Sequence, residues 1–142
     1  MLTQVVNEAK NAVLVAIKGT DDVLSALRGA VRNQLTGTAT DVSSMAMTGV
    51  QAVTDVVTGS VEAAAEAGTD VGKAAVSVVE EAVSSAGSLG VSTADAAAAA
   101  AKGAIRAAKT VGQEAVDAVS SALQGVASIP REVLEAALKG DE

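Results

Sequence analysis

The chain has 142 residues, 49% of them hydrophobic, yet it contains no Phe, Trp, Tyr, His or Cys. Without imidazole or thiol groups the common acid-base, triad and zinc chemistries lack their parts, so neither catalysis nor a cofactor or metal site is expected. Ten basic against 17 acidic residues give a formal charge of −7, which argues against nucleic acid, because phosphates need clustered Lys and Arg and bases need aromatic platforms.

The chain divides every eleven residues from Val5 without insertion or deletion, and the rows run on to Ala136. Eleven residues make three helical turns at about 3.67 per turn, so a residue type recurring at this interval stays on one helix face with a slight right-handed drift. Numbering the eleven positions from Val5, positions 4, 8, 1, 5, 9 and 2 lie side by side on an arc of roughly 160°, and the other five lie opposite. Of the charged residues, Glu8, Arg28, Asp41 and Asp141 fall on the arc and all others fall opposite it. The pattern predicts an all-α chain of long amphipathic helices with few breaks, its charges facing water and its Ala/Val face buried in an oligomeric multi-helix bundle, layer or tube, with a monomeric hairpin or bundle folded at 37–41 and 87–93 as a further reading.

In chain order, the first segment, Met1 to Gly19, is helical by period and is not a secretory signal, since Glu8 and Lys10 interrupt its apolar run. Interruptions are expected at Lys18 to Asp22 and near 37–41. The uncharged runs Val42 to Thr54 and Ala82 to Ala94 are too short to span a bilayer. A cytoplasmic protein, or one peripheral at a membrane or lipid surface, is therefore expected. Gly68, Gly90 and Gly112 recur at intervals of 22, and Gly37, Gly59, Gly103 and Gly125 occupy another stripe at multiples of 22. Glycine costs a helix about 1 kcal/mol relative to alanine, so these positions need a reason. One is a stop: Gly68-Thr69-Asp70, and Gly90 followed by Ser92-Thr93-Ala94-Asp95, resemble a C-terminal cap and a new helix start. The other, which is preferred, makes Gly68, Gly90 and Gly112 close-contact points where a neighbouring backbone approaches. A further break is expected near 87–93, Ala96 to Ala101 is strongly helical, and Ser128-Ile129-Pro130 opens a short last helix ending near Gly140. The organisation is thus one elongated region, 1–127, and a C-terminal helix, 128–142.

The expected self-association face comprises Val5, Ala16, Leu27, Val31, Val42, Val53, Val71, Val83, Ala104, Ile105, Val116 and Val126. Its residues are small, so association must rest on many modest contacts over a long interface. The acidic pairs Asp21-Asp22 and Glu80-Glu81 lack the alternating ligands of a calcium loop and are expected on a solvated face. Glu62, Glu66 and Asp70 form an acidic stripe, and Lys102, Arg106 and Lys109 form a basic one. Both are expected in water, with pairing between subunits as the alternative.

The unbroken register, with Lys102-Gly103-Ala104-Ile105-Arg106-Ala107-Ala108-Lys109 and Ala16-Ile17-Lys18-Gly19-Thr20, resembles bacterial hendecad-repeat coiled-coil proteins. Thr48-Gly49-Val50-Gln51-Ala52-Val53 and Thr58-Gly59-Ser60-Val61-Glu62-Ala63 also resemble the eleven-residue repeats of synucleins and perilipins, without the regular lysines that flank the synuclein face. The first resemblance implies a non-enzymatic structural protein whose partner is itself, assembled as a filament, tube or layer. The second implies the alternative, an amphipathic-helix protein that binds, coats or remodels a membrane or lipid-droplet surface.

Overall fold

The computed structural model describes residues 10–15, 23–41, 49–126, 129 and 132–135, and all statements below concern these. Helix α1 covers residues 10–15. It is followed by α2 (Val23–Asp41), α3 (Gly49–Glu66), α4 (Val71–Ser85) with a 3-10 turn at Ala86–Leu89, α5 (Thr93–Val111) and α6 (Gln113–Leu123). A helical turn at 132–135 follows, and the expected Ser128-Pro130 cap and the Gly140 terminus lie outside the described residues. The described residues hold no strand, and the expectation of an all-α chain holds.

Helices α2 to α6 are short, between 11 residues for α6 and 19 for α2 and α5, and they fold back on one another within the chain. Long helices with few breaks are therefore a mistaken expectation, and the glycines that recur at 22 show why. At Gly68 the backbone turns left-handed, φ +83°. The Gly68 N–H donates to the Ala65 carbonyl at 3.1 Å and the Thr69 N–H to the Ala64 carbonyl at 3.0 Å, the paired bonds of a Schellman stop. Gly90, φ +74°, repeats it: the Gly90 N–H donates to the Gly87 carbonyl at 3.0 Å and the Val91 N–H to the Ala86 carbonyl at 3.3 Å. Each stop is followed at once by a capped start. The Lys73 N–H donates to Asp70 Oδ1 at 3.0 Å, and the Asp95 N–H donates to Ser92 Oγ at 3.1 Å. Stop and start together outweigh the continuation of the helix, which glycine already weakens.

The 37–41 segment behaves differently from expectation, because α2 runs through Gly37 to Asp41. A lone interior glycine costs about 1 kcal/mol, too little by itself to end a helix. The interruption expected at Lys18 to Asp22 lies outside the described residues.

Two rows of helices result. Helix α4 lies between α2 and α6, α3 lies along α5, and the rows meet through α2 on α3, α3 on α4, α4 on α5 and α5 on α6. The core is built of Val and Ala with Leu27, Leu35, Ile105 and Leu123 as its largest members. Every buried hydrophobic residue except Ala99 falls on the six-position apolar arc. Most of the arc is thus covered by the chain's own helices, with Val50 and Val111 left exposed on it. Helix α3 departs from the amphipathic plan: from Ala52 to Val61 every residue is buried, including Thr54, Asp55 and Thr58 of its polar face. No described helix is long and apolar enough to cross a membrane.

Candidate functional site

The most extensive helix contact in the fold is the seam between α3 and α5. The two helices run parallel, since Thr54 and Thr58 meet Gly103 while Glu62, further along α3, meets Thr110, further along α5. At its centre the backbones nearly touch. A Cβ placed on Gly103 would stand 2.5 Å from the Thr54 carbonyl oxygen and 3.1 Å from Val57 Cβ. The Thr58 hydroxyl donates to the Thr54 carbonyl at 2.7 Å and lies 3.3 Å from the Gly103 carbonyl, so one buried hydroxyl satisfies its own helix while resting on the next. Helix α5 is otherwise rich in buried alanines, among them Ala96, Ala100, Ala104 and Ala107. Small side chains are what allow this approach.

Gly68, Gly90 and Gly112 are accordingly corrected as close-contact points within the fold. A Cβ at any of them would meet nothing within 4 Å, and all three have positive φ. Close approach falls instead on Gly103 and on Gly72, whose added Cβ would lie 3.3 Å from the Ala118 carbonyl of α6. The sequence clue to Gly103 was its stripe with Gly37, Gly59 and Gly125, and the clue to Gly72 was the spacing of Gly68-Thr69-Asp70-Val71-Gly72, two glycines four residues apart as at close helix contacts. Of the expected association face, Leu27, Val31, Val53, Ala104 and Ile105 are fully buried and Val126 nearly so. Val71, Val83 and Val116 are half-buried against the same core, and Val5, Ala16 and Val42 lie outside the described residues.

The placement of charge is a second correction, since two carboxylates expected in water are buried. Asp55, 1% exposed, sits in the α3–α5 seam with Oδ1 3.9 Å from Arg106 Nη1. Loss of water pushes its carboxyl up to about 6, and the Arg106 charge pulls the other way. Glu81 of α4, 7% exposed, accepts from Arg32 Nε at 2.9 Å and from Ser85 Oγ at 3.0 Å. Its burial pushes the pKa up, but the hydrogen bonds from Arg32 and Ser85 and the charges of Arg32 and Arg28 outweigh it and hold the carboxyl below its usual range. Beside it Glu80 accepts from Arg28 at 2.6 Å, so the Glu80-Glu81 pair serves to tie α4 to α2. The acidic stripe is divided: Glu66 pairs with Lys10 of α1, Glu62 accepts from the Thr110 hydroxyl, and Asp70 caps α4. The Asp21-Asp22 pair lies outside the described residues, among which no group of three or more carboxylates is placed to hold a metal.

The arrangement defines an all-α bundle whose distinguishing feature is a parallel, small-residue helix seam enclosing one carboxylate. No protein-family model, curated protein or solved structure matches the chain.

Proposed function

We propose that this is a non-enzymatic structural protein that associates with copies of itself through the same Ala/Val/Gly faces that close its bundle. The supporting observation is the parallel α3–α5 seam, in which one stretch of the eleven-residue repeat packs on another with backbones almost in contact. A surface that fits another copy of its own pattern within one chain fits it equally well between chains. Exchange of helices at the Gly68, Gly90 or Gly112 turns would replace each contact by an equivalent one. The hendecad register sets the form of the product. Its slight right-handed drift keeps exchanged helices nearly straight, which suits a filament, tube or layer built as a coiled coil.

The test is light scattering on size-separated, detergent-free protein from low to high micromolar concentration, with circular dichroism on the same fractions. Regular multimers with unchanged helix content are expected. A monomer throughout that range sinks the proposal.

A lipid surface is the competing cover for these faces. It is favoured by the small-residue core, in which each buried methyl-sized unit contributes only about 0.8 kcal/mol to hold the bundle shut, and by glycine turns open to solvent. Neutral and anionic vesicles separate the two, since lipid binding would carry the chain into the vesicle fraction as an opened, helical monomer.

A further inference from the structure

Asp55 is placed as no other described carboxylate is. It lies near the middle of α3, where every residue from Ala52 to Val61 is buried. One of its oxygens is 3.9 Å from Arg106 Nη1, beyond hydrogen-bonding distance, and the other has no hydrogen-bond partner among the described residues. The Ser60 hydroxyl on the same helix is also buried without a partner among them. An ionised carboxylate has only acceptor sites and calls for donors at both oxygens, whereas the protonated acid is far less costly to keep from water. The Arg106 side chain is itself 35% exposed, so solvent screens its pull on the buried charge.

Of the other charges on helices around α3, including Lys73 of α4, none acts on the Asp55 carboxyl, and several are paired with one another. On α2 and α4, Arg28 pairs with Glu80 and Arg32 with Glu81, and Lys10 of α1 pairs with Glu66. Helix α5 also carries Asp95, Lys102 and Lys109, but Arg106 is the charge that acts on the Asp55 carboxyl. This carboxyl adjoins the point of closest backbone approach, because Thr54, its neighbour, faces Gly103. A cost at Asp55 is therefore a cost to the seam itself.

We infer that the α3–α5 seam is a proton-operated latch, tight while Asp55 carries a proton and the first part of the bundle to loosen when Asp55 is ionised. The direction follows from linkage. Burial raises the folded carboxyl from 3.8 to about 6, so the folded state holds this proton more firmly than the unfolded chain does. The stabilisation is complete below about 3.8 and is lost as pH rises through about 6. A difference of about two pH units corresponds to an increase of about 100-fold in the unfolding constant between acid and neutral pH. Glu81 acts in the opposite sense and only on the acid side, since its carboxyl is held below the usual range.

The latch stands or falls independently of whether copies associate. It is tested on the whole chain by following the Asp55 side-chain carbon by NMR from pH 3 to 8, with amide hydrogen exchange on the same samples. The expected result is a carboxyl midpoint near 6 and, above it, a loss of protection in α3 and α5 that exceeds the loss in α4 after correction for intrinsic exchange. Asp55→Asn should flatten the pH dependence of unfolding between about 3.8 and 6, and Arg106→Gln should move the carboxyl midpoint further up. A midpoint near 4, or equal loss of protection in all three helices, overturns the inference. The wild-type titration decides it even if a variant fails to fold.

Discussion

Replacing Gly103 by alanine sets two effects of known sign against each other. In an unhindered helix the change is favourable by about 1 kcal/mol, because alanine loses less backbone freedom and exposes less of the main chain. At Gly103 the new methyl carbon would lie 2.5 Å from the Thr54 carbonyl oxygen, which belongs to a helical backbone and cannot swing aside. To reach an ordinary contact of 3.4 Å, the two helices must separate locally by about 0.9 Å. A gap of that size forfeits about a quarter to a half of the dispersion attraction of each atom pair across it. The loss spreads along the largest interface in the fold, where the side chains are too short to extend and refill it. Overpacking of this kind costs about 1–3 kcal/mol. The seam therefore wins over helix propensity in all but the mildest case, and Gly103→Ala should be destabilising by up to about 2 kcal/mol net. Gly29→Ala is the matched control: Gly29 is helical in α2 and a Cβ there would meet nothing within 4 Å, so this variant should gain about 1 kcal/mol. Urea unfolding followed by circular dichroism measures both. A Gly103→Ala protein as stabilised as Gly29→Ala would refute the close-packed seam.

Three further outcomes follow from the turns and the ion pairs. Gly90→Ala forces a left-handed residue to carry a side chain and should cost about 1–2 kcal/mol although it touches nothing, which thermal unfolding would register as a lower midpoint. Ser92→Ala removes the acceptor for the Asp95 N–H and should cost about 1 kcal/mol, with hydrogen exchange rising first in the opening turn of α5; unchanged exchange there would argue against the cap. Because Glu81 is held below its usual range, the stability it contributes is present above about 4.5 and is lost as pH falls through its lower folded value. Arg32→Gln should lower stability at neutral pH and make the acid-side decline shallower, and a pH profile parallel to the wild type would contradict the role of this pair.

The eleven-residue register foretold which side of each helix turns inward. Leu27, Val31, Val53, Ala104 and Ile105 all lie in the core, and a single alanine, Ala99, is the exception among the buried hydrophobic residues described. Burial of one face follows from periodicity alone, whatever covers that face, and so it is legible in a linear pattern. The helix starts at Asp70 and Ser92 were visible as one of two readings, since side-chain caps are local chemistry over three residues, but the pattern favoured continuous helices there. The role of each glycine was not. Gly68 and Gly103 share the same spacing rule, yet one reverses the chain and the other admits a neighbouring helix. The difference rests on terms of about 1 kcal/mol, which local pattern cannot rank.

Periodicity and composition were enough to give helices throughout, nearly all of the hydrophobic residues that face inward, and the absence of imidazole and thiol side chains. Tertiary structure alone decided that the chain folds back to cover its own apolar arc, and that α3 sits where neighbours on several sides bury even its polar face. An amphipathic pattern records how one helix divides its own surface, but how many other helices press against it is a property of their joint packing. That is why Asp55, written on a polar stripe, lies inside the protein.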